Sequence, residues 1–164
     1  MEFRKALPEE AAEIFGIYRE AIGRMQALGI DQWDDVYPTQ AVIAQDIANG
    51  DMTVGLIDGM IVCAFVLNRE QWEGYENGDW QYPDLSFAVL HRLCVSPACQ
   101  GKGVGMQAMQ YIEALLKSEG IDVLQLDAFP KNRGAVRLYE KLGYIKVGEA
   151  TFRKGLFYLF EKKL

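Results

Sequence analysis

Half of the 164 residues are hydrophobic and 24% are charged, a composition that predicts one globular domain with a substantial core. The net charge of -6 disfavours nucleic acid as a partner, because a phosphate backbone would repel the molecule. The N-terminus MEFRKALPEE lacks an apolar signal core, and no apolar run approaches the roughly 20 residues of a membrane-spanning helix. Three cysteines without paired spacing and a single histidine predict free thiols in a reducing cytoplasm and no metal site.

The first third of the chain predicts one strand and two helices. Glu2–Ala6 is interpreted as a short strand, and Pro8 suits the first turn of a helix that keeps one face apolar to about residue 27. A loop covers 29–38. A second helix spans roughly Gln40–Ala48 and ends at Asn49-Gly50, a helix-stop signal.

A hairpin, a long loop and a strand come next. Met52–Ile57 and Met60–Leu67 flank Asp58-Gly59, a dipeptide that strongly predicts a two-residue hairpin turn. Asn68–Asp84 mixes glycines, aromatic rings and acids, which predicts a long loop of the kind that is often functional. Leu85–Val95 predicts a strand.

The remaining part of the chain alternates helices and strands. Helices are predicted from about Gly103 to Ser118 and from about Asn132, with a strand at Asp122–Phe129 between them. Tyr144–Glu149 and Lys154–Glu161 predict the final strands. The order β-α-α-β-β-β-α-β-α-β-β describes an α/β protein with a mixed sheet and helices on both faces.

Charge is distributed unevenly along the chain. Residues 1–90 carry 5 basic and 16 acidic side chains, net -11, whereas residues 91–164 carry 12 basic and 7 acidic side chains, net +5. One explanation is solvated surface without a special role. The functional alternative is that the C-terminal part binds a polyanion while the N-terminal part meets a cation.

A glycine-rich turn, Gln100-Gly101-Lys102-Gly103-Val104-Gly105, joins a predicted strand to a predicted helix. Glycine lets the main chain approach a ligand closely, and the first N–H groups of a helix bind anions, so the turn predicts a pyrophosphate site. A P-loop is excluded because Lys102 is followed by Gly103, and the dinucleotide pattern GxGxxG is not completed after Gly105. The turn does match Gln/Arg-x-x-Gly-x-Gly/Ala. A plain helix-entry turn is the structural alternative.

A second element lies one strand further along the chain. Asn132 and Tyr139 are seven residues apart in the last predicted helix, so they share one of its faces. The structural alternatives are an N-cap for Asn132 and core packing for Tyr139.

With the Gln100–Gly105 motif, the Asn132/Tyr139 helix and the order of elements, the whole chain resembles the GNAT superfamily of N-acetyltransferases. The resemblance implies one GNAT domain over residues 1–164, with a mixed, mostly antiparallel sheet. Its two central strands, Leu85–Val95 and Asp122–Phe129, are expected to splay apart. It also implies acetyl-CoA as the donor, direct transfer of the acetyl group without a covalent enzyme intermediate, and no metal.

The same resemblance assigns the coenzyme site. The pantetheine arm is expected on the main chain of Leu93 and Val95 and on Asn132, the pyrophosphate on N–H groups of Gln100–Met106, and the thioester sulfur near Tyr139. The coenzyme-binding residues so implied are Leu93, Cys94, Val95, Gln100, Gly101, Lys102, Gly103, Val104, Gly105, Met106, Asn132 and Tyr139.

Tyr139 and His91 are the predicted catalytic residues. The resemblance implies that the Tyr139 hydroxyl protonates the departing sulfur as general acid. Because side chains alternate along a strand, His91 is expected on the same face as Leu93 and Val95. There it resembles a histidine of the arylalkylamine acyltransferases, and its ordinary pKa near 6.5 suits a base or a water relay.

Two features leave the base open. The second histidine of the arylalkylamine acyltransferases corresponds to Val89 here, which departs from their pattern. Glu73, Glu76 or Asp84 acting through water are alternatives to His91.

The acceptor site is predicted in the two loops 29–38 and 68–84. Their mixture of aromatic rings and carboxylates suits an ammonium group. The candidate substrate-binding residues are Asp31, Trp33, Glu73, Tyr75, Glu76 and Trp80.

The leading hypothesis is therefore acetyl-CoA-dependent acetylation of a primary amine in a small molecule. One alternative is acetylation of protein or peptide amines, and another is a non-catalytic sensor that binds acyl-CoA. The presence of both Tyr139 and His91 argues against the sensor. A homodimer formed through the edge of the C-terminal strands is a further hypothesis.

Overall fold

The computed structural model describes residues 1–164, which form seven strands and four α-helices in the predicted order. In chain order the elements are β1 (Glu2–Lys5), α1 (Ala11–Ala27), α2 (Gln40–Ala48), β2 (Met52–Ile57), β3 (Met60–Asn68), β4 (Phe87–Val95), α3 (Val104–Ser118), β5 (Val123–Ala128), α4 (Arg133–Lys141), β6 (Ile145–Phe152) and β7 (Gly155–Lys163). None of the helices is both long enough and apolar enough to cross a bilayer.

The strands form one sheet in the order β1-β2-β3-β4-β5-β7-β6. β4 and β5 pair in parallel, whereas the pairs β1–β2, β2–β3, β5–β7 and β6–β7 are antiparallel. The expected mixed, mostly antiparallel sheet is therefore confirmed. The parallel pairing runs from Phe87 with Val123 to Leu90 with Leu126, although β4 continues to Val95.

β4 contains an irregularity just beyond this pairing. Arg92 has a φ of 54°, the left-handed region that non-glycine residues rarely adopt. A left-handed residue departs from the extended backbone on which the alternation of side chains depends. Strict alternation therefore does not by itself assign His91 to the face of Leu93 and Val95; that face stays a prediction, and the surroundings of His91 are described from its own contacts.

The chain forms two compact units, residues 1–67 with 92–111 and residues 68–91 with 112–164. In the first unit α1 and α2 pack on the hairpin strands. The apolar face that periodicity predicted for the first helix is buried, with Ile14, Ile17 and Tyr18 of α1 in one core cluster; Ile43 and Ile47 of α2 are buried in the same cluster.

A buried ion pair stands out in the first unit. Nη2 of Arg92 lies 2.6 Å from Oδ1 of Asp46 on α2, and both side chains are at most 10% exposed. The guanidinium also donates to the hydroxyl of Tyr37 at 2.5 Å, and the main-chain oxygen of Arg92 accepts from the hydroxyl of Tyr18 at 2.5 Å. Side chains of α1, α2 and the 29–38 loop thus hold Arg92, the irregular residue of β4, in place.

Removing one partner of this pair should be costly. We expect Asp46→Ala to lower the free energy of unfolding by about 3–5 kcal/mol, because the guanidinium then stays buried without its carboxylate. Urea unfolding measures this change. The matched control is Asp46→Leu combined with Arg92→Met, which removes both charges and should cost far less. Equal losses of unfolding free energy in the two variants would show that lost packing, rather than the unpaired charge, causes the destabilisation.

Candidate functional site

The glycine-rich turn lies between β4 and α3, as predicted. Gly101 and Gly103 have φ values of 77° and 81°, so both occupy the left-handed region in which glycine carries no steric penalty. The side-chain amide of Gln100 donates back to the main-chain oxygen of Val95 at 3.1 Å. α3 begins at Val104, and the first N–H groups of a helix have no partner within it.

The space beside this turn is open. A Cβ placed on Gly101 would meet nothing within 4 Å, and one on Gly103 would meet only the side-chain amide of Gln107, at 4.0 Å. The main chain of the turn is thus accessible at the beginning of a 15-residue helix. Uncovered N–H groups and the positive end of the helix dipole fit a pyrophosphate.

The strand that leads into the turn packs on α3. Leu93 and Val95 are half-buried against Val62 of β3 and Val104 of α3. Cys94 is buried in a different cluster, with the side chains of α1 and α2.

The buried thiols are poor nucleophiles. Burial raises the pKa of Cys63 to about 12, and it raises the pKa of Cys94 well above the ordinary cysteine value. Neither thiol is ionised at neutral pH, which agrees with a transfer that needs no covalent intermediate.

In the second unit α4 carries Asn132 and Tyr139. Asn132 caps the helix, because its side-chain oxygen accepts from the main-chain N–H of Ala135 at 3.2 Å. Tyr139 is 6% exposed, and its ring packs near Tyr144 and Phe160. Burial raises the pKa of the Tyr139 hydroxyl well above the ordinary tyrosine value, and the charge of Asp127 raises it further. The hydroxyl is therefore protonated at any physiological pH.

Asp127 is the functional candidate that the sequence analysis missed. It lies on β5, is half-buried, and accepts a hydrogen bond from the hydroxyl of Tyr75 at 2.8 Å. Its charge is one of the causes that raise the pKa of the Tyr139 hydroxyl, after burial. The signal in the sequence is the run Val123–Ala128, where Gln125 and Asp127 are the polar residues of an otherwise apolar strand.

His91 is engaged at both ring nitrogens. Nδ1 lies 2.7 Å from Nε1 of Trp72, and Nε2 lies 3.0 Å from both the side-chain oxygen of Asn68 and the main-chain oxygen of Glu70. Since an indole N–H only donates, Nδ1 is the acceptor and Nε2 carries the proton. Nδ1 could accept a proton from a substrate only if the hydrogen bond from the indole N–H of Trp72 were broken.

The predicted acceptor residues divide into buried and exposed groups. Trp33 is 8% exposed and packs on Tyr18, while Tyr75 is 1% exposed in a cluster with Val89. Both rings pack in the core and expose little surface, and their role in substrate binding stays a prediction. The carboxylates are exposed, and Trp80 is half-buried on Tyr75; these candidates are Asp31, Glu73, Glu76 and Trp80.

The acidic and sulfur-containing side chains do not converge on a metal. No group of three or more His, Cys, Asp or Glu side chains is arranged to hold an ion.

Comparison with known proteins agrees with this geometry. The sequence model of the acetyltransferase (GNAT) family matches residues 24–144. An S-(2-succino)cysteine N-acetyltransferase of Bacillus subtilis is 23% identical over 163 residues, which span 98% of this chain and 94% of that protein.

Solved structures extend the comparison to the fold. A GNAT acetyltransferase of Streptococcus agalactiae superposes with a TM-score of 0.87 at 27% identity, covering 99% of this chain and 95% of that one. The PaiA N-acetyltransferase of Thermoplasma acidophilum, solved in complex with coenzyme A, gives a TM-score of 0.73 at 20% identity over 99% and 98% of the two chains. The matched residues, the seven-stranded sheet and the helix-entry turn together show that this chain is a member of the GNAT family of acetyltransferases.

Proposed function

We propose that the protein transfers an acetyl group from acetyl-CoA to a primary amine of a small molecule, with residues 1–164 acting as one acetyltransferase domain. Membership of the GNAT family supports the transfer. The observation that carries the mechanism is the buried Tyr139 hydroxyl, whose pKa burial raises and the charge of Asp127 raises further, so that it is protonated and able to act as a general acid. The Asp127 side chain, which accepts a hydrogen bond from Tyr75, is the proposed general base.

The donor side rests on the turn and on β4. Main-chain N–H groups within Gln100–Met106 bind the pyrophosphate, and the main chain of Leu93–Val95 binds the pantetheine arm. Asn132 contacts the same arm. A bound acetyl-CoA supplies an activated thioester, and a main-chain N–H near Leu93–Val95 polarises its carbonyl, an effect worth roughly 3–4 kcal/mol in enzymes where it has been measured.

The proton transfers are assigned to side chains of the second unit. Asp127 accepts a proton from the ammonium group, and the free amine attacks the carbonyl carbon. The C–S bond breaks as the C–N bond forms, and Tyr139 donates its proton to the departing sulfur. The attacking nitrogen loses its second proton, which returns Tyr139 to its neutral form and leaves a neutral amide and a free thiol. Tyr75 donates to Asp127 and keeps the carboxylate oriented.

The surface charge favours a cationic acceptor. Residues 68–84 contain five acidic side chains and one arginine, net -4, and all six are exposed. Amines are mostly protonated at neutral pH, so a negative surface raises their local concentration. The effect is screened over about 8 Å at physiological salt, so capture weakens as salt increases.

A panel of amines tests the proposed function. It pairs acetyl-CoA with size-matched cationic, neutral and anionic primary amines and with short peptides, each at two ionic strengths. We expect turnover with the small cationic amines and a lower kcat/KM at high salt. Preference for peptides would reassign the acceptor class, and binding of acetyl-CoA without turnover would identify an acyl-CoA sensor.

The base is tested by comparing Asp127 with His91. We expect Asp127→Asn to lower kcat/KM on the order of 10²-fold and to remove the acidic limb of its pH profile. A base must be deprotonated, so activity falls as pH drops through its pKa, and an amide cannot produce that fall. The variant His91→Gln should retain the acidic limb of the pH profile of kcat/KM. The reverse result would make His91 the base.

A further inference from the structure

The 68–84 segment lies on a row of four polar side chains, His91, Gln125, Asp127 and Glu161, which we call the anchor row. They belong to β4, β5 and β7, which are consecutive in the sheet, and the register places Gln125 opposite Glu161. His91, Gln125 and Glu161 are at most 5% exposed. Buried polar side chains on a sheet face are costly unless partners satisfy them.

Each member of the anchor row accepts one hydrogen bond from the 68–84 segment. The donors are Nε1 of Trp72 to Nδ1 of His91 (2.7 Å), Nε2 of Gln71 to Oε1 of Gln125 (2.7 Å), the hydroxyl of Tyr75 to Oδ2 of Asp127 (2.8 Å) and the main-chain N–H of Gln81 to Oε2 of Glu161 (2.8 Å). The bonds are spread over eleven residues of the segment. They therefore fix its conformation along most of its length.

The main chain of the 68–84 segment also lies close to the main chain of β6. The N–H of Asp79 donates to the main-chain oxygen of Val147 at 2.7 Å. A Cβ on Gly148 would stand 3.0 Å from the main-chain oxygen of Asn77 and 3.0 Å from Cα of Gly78. A side chain at this position would therefore push the segment away from β6 by a few tenths of an ångström, so β6 holds the segment from a further direction.

We propose that the anchor row holds the 68–84 segment in one conformation and so determines which amines the enzyme accepts; His91, Gln125 and Glu161 act as positioning residues, whereas Asp127 anchors the segment in addition to its role as base. The inference rests on the proposed function, in which the acidic 68–84 segment attracts the cationic acceptor; Glu73, Glu76 and Trp80 are its predicted substrate-binding residues. A segment that is already ordered binds its ligand without a further loss of conformational freedom. His91 then positions the segment rather than accepting a proton.

The test removes donors from the segment and leaves the sheet intact. Gln71→Ala combined with Trp72→Phe deletes two of the four bonds, and both side chains are exposed. Amide hydrogen exchange over residues 71–82 should become about tenfold faster or more, because two net hydrogen bonds are lost. The KM for the acceptor should increase by a similar factor, while the KM for acetyl-CoA stays unchanged.

Two further variants complete the design. Gln81→Ala is the matched control, since it deletes a side-chain hydrogen bond inside the segment, from Nε2 of Gln81 to the main-chain oxygen of Asp79, but keeps the main-chain N–H that donates to Glu161. It should leave exchange and both KM values as in the wild type. Gly148→Ala displaces the segment without deleting a hydrogen bond and should reproduce the increase in acceptor KM.

The readouts separate this inference from the proposed function. Unchanged exchange in the double variant would refute the anchoring. Faster exchange with an unchanged acceptor KM would refute the link to specificity, as would a rise in the acetyl-CoA KM alone. A wild type that turns over no amine would refute the proposed function and with it the specificity role, whereas exchange would still decide whether the anchor row holds the segment.

Discussion

Tyr139→Phe is expected to lower kcat by roughly 10²–10⁴ while leaving the affinity for acetyl-CoA nearly unchanged. The substitution removes one hydroxyl and keeps the ring, which is buried against Tyr144 and Phe160. The loss corresponds to about 3–5 kcal/mol of barrier, the contribution of a proton delivered to the leaving sulfur. Steady-state kinetics with saturating acetyl-CoA measure it.

The raised pKa of Tyr139 also predicts how the loss of rate depends on pH. Because the hydroxyl stays protonated far above neutral pH, its ionisation should not limit activity anywhere below about pH 10. The variant should therefore lose rate equally at pH 6 and pH 9. Tyr144→Phe is the matched control, since that hydroxyl donates to Glu113 and should not affect kcat. Equal turnover in both variants would exclude Tyr139 from the chemistry, and a loss only of coenzyme affinity would make it a packing residue.

Gly103→Glu is expected to abolish the thermal stabilisation that acetyl-CoA gives the wild type. At 100 times its dissociation constant a ligand stabilises by about 2.7 kcal/mol, which is roughly 5–10 °C in Tm for a chain of this size. A side chain on Gly103 projects into open space beside the turn. A glutamate there would occupy the proposed pyrophosphate site and add a negative charge to it. Thermal shifts with and without acetyl-CoA give the difference.

The control for this substitution is Gly120→Glu. Gly120 follows the other end of α3, has a φ of 72° and has nothing within 4 Å of an added Cβ, so strain and charge are matched. It should lower Tm as Gly103→Glu does and yet keep the full acetyl-CoA shift. An intact shift in Gly103→Glu would place the pyrophosphate elsewhere.

The sequence by itself determined the elements, because their signals are local. The hairpin turn at Asp58-Gly59, the end of α2 at Ala48 and the N-cap at Asn132 each depend on the conformation of a few adjacent residues. The glycine-rich turn is equally local, since left-handed glycines and a helix start can be identified from residue types alone. For the same reason the order of elements and the family were both predicted correctly.

The tertiary structure decided which of the candidate side chains meet. Composition could not separate Trp33 and Tyr75, which are buried, from Glu73, which is exposed in the same kind of loop. Asp127 of β5 accepts a hydrogen bond from Tyr75, which lies 52 residues earlier in the chain, and its charge raises the pKa of Tyr139 on α4. Contacts of this separation leave no periodic signal in the sequence.

His91 shows the limit most clearly. Strict alternation along β4 predicted its face, but Arg92 is left-handed, so alternation by itself does not assign that face. That conformation accompanies a buried ion pair with Asp46 and a hydrogen bond to Tyr37, partners from distant parts of the chain. The sequence thus determined that a strand passes through residue 91, and only the packing of the folded chain decided what the histidine contacts.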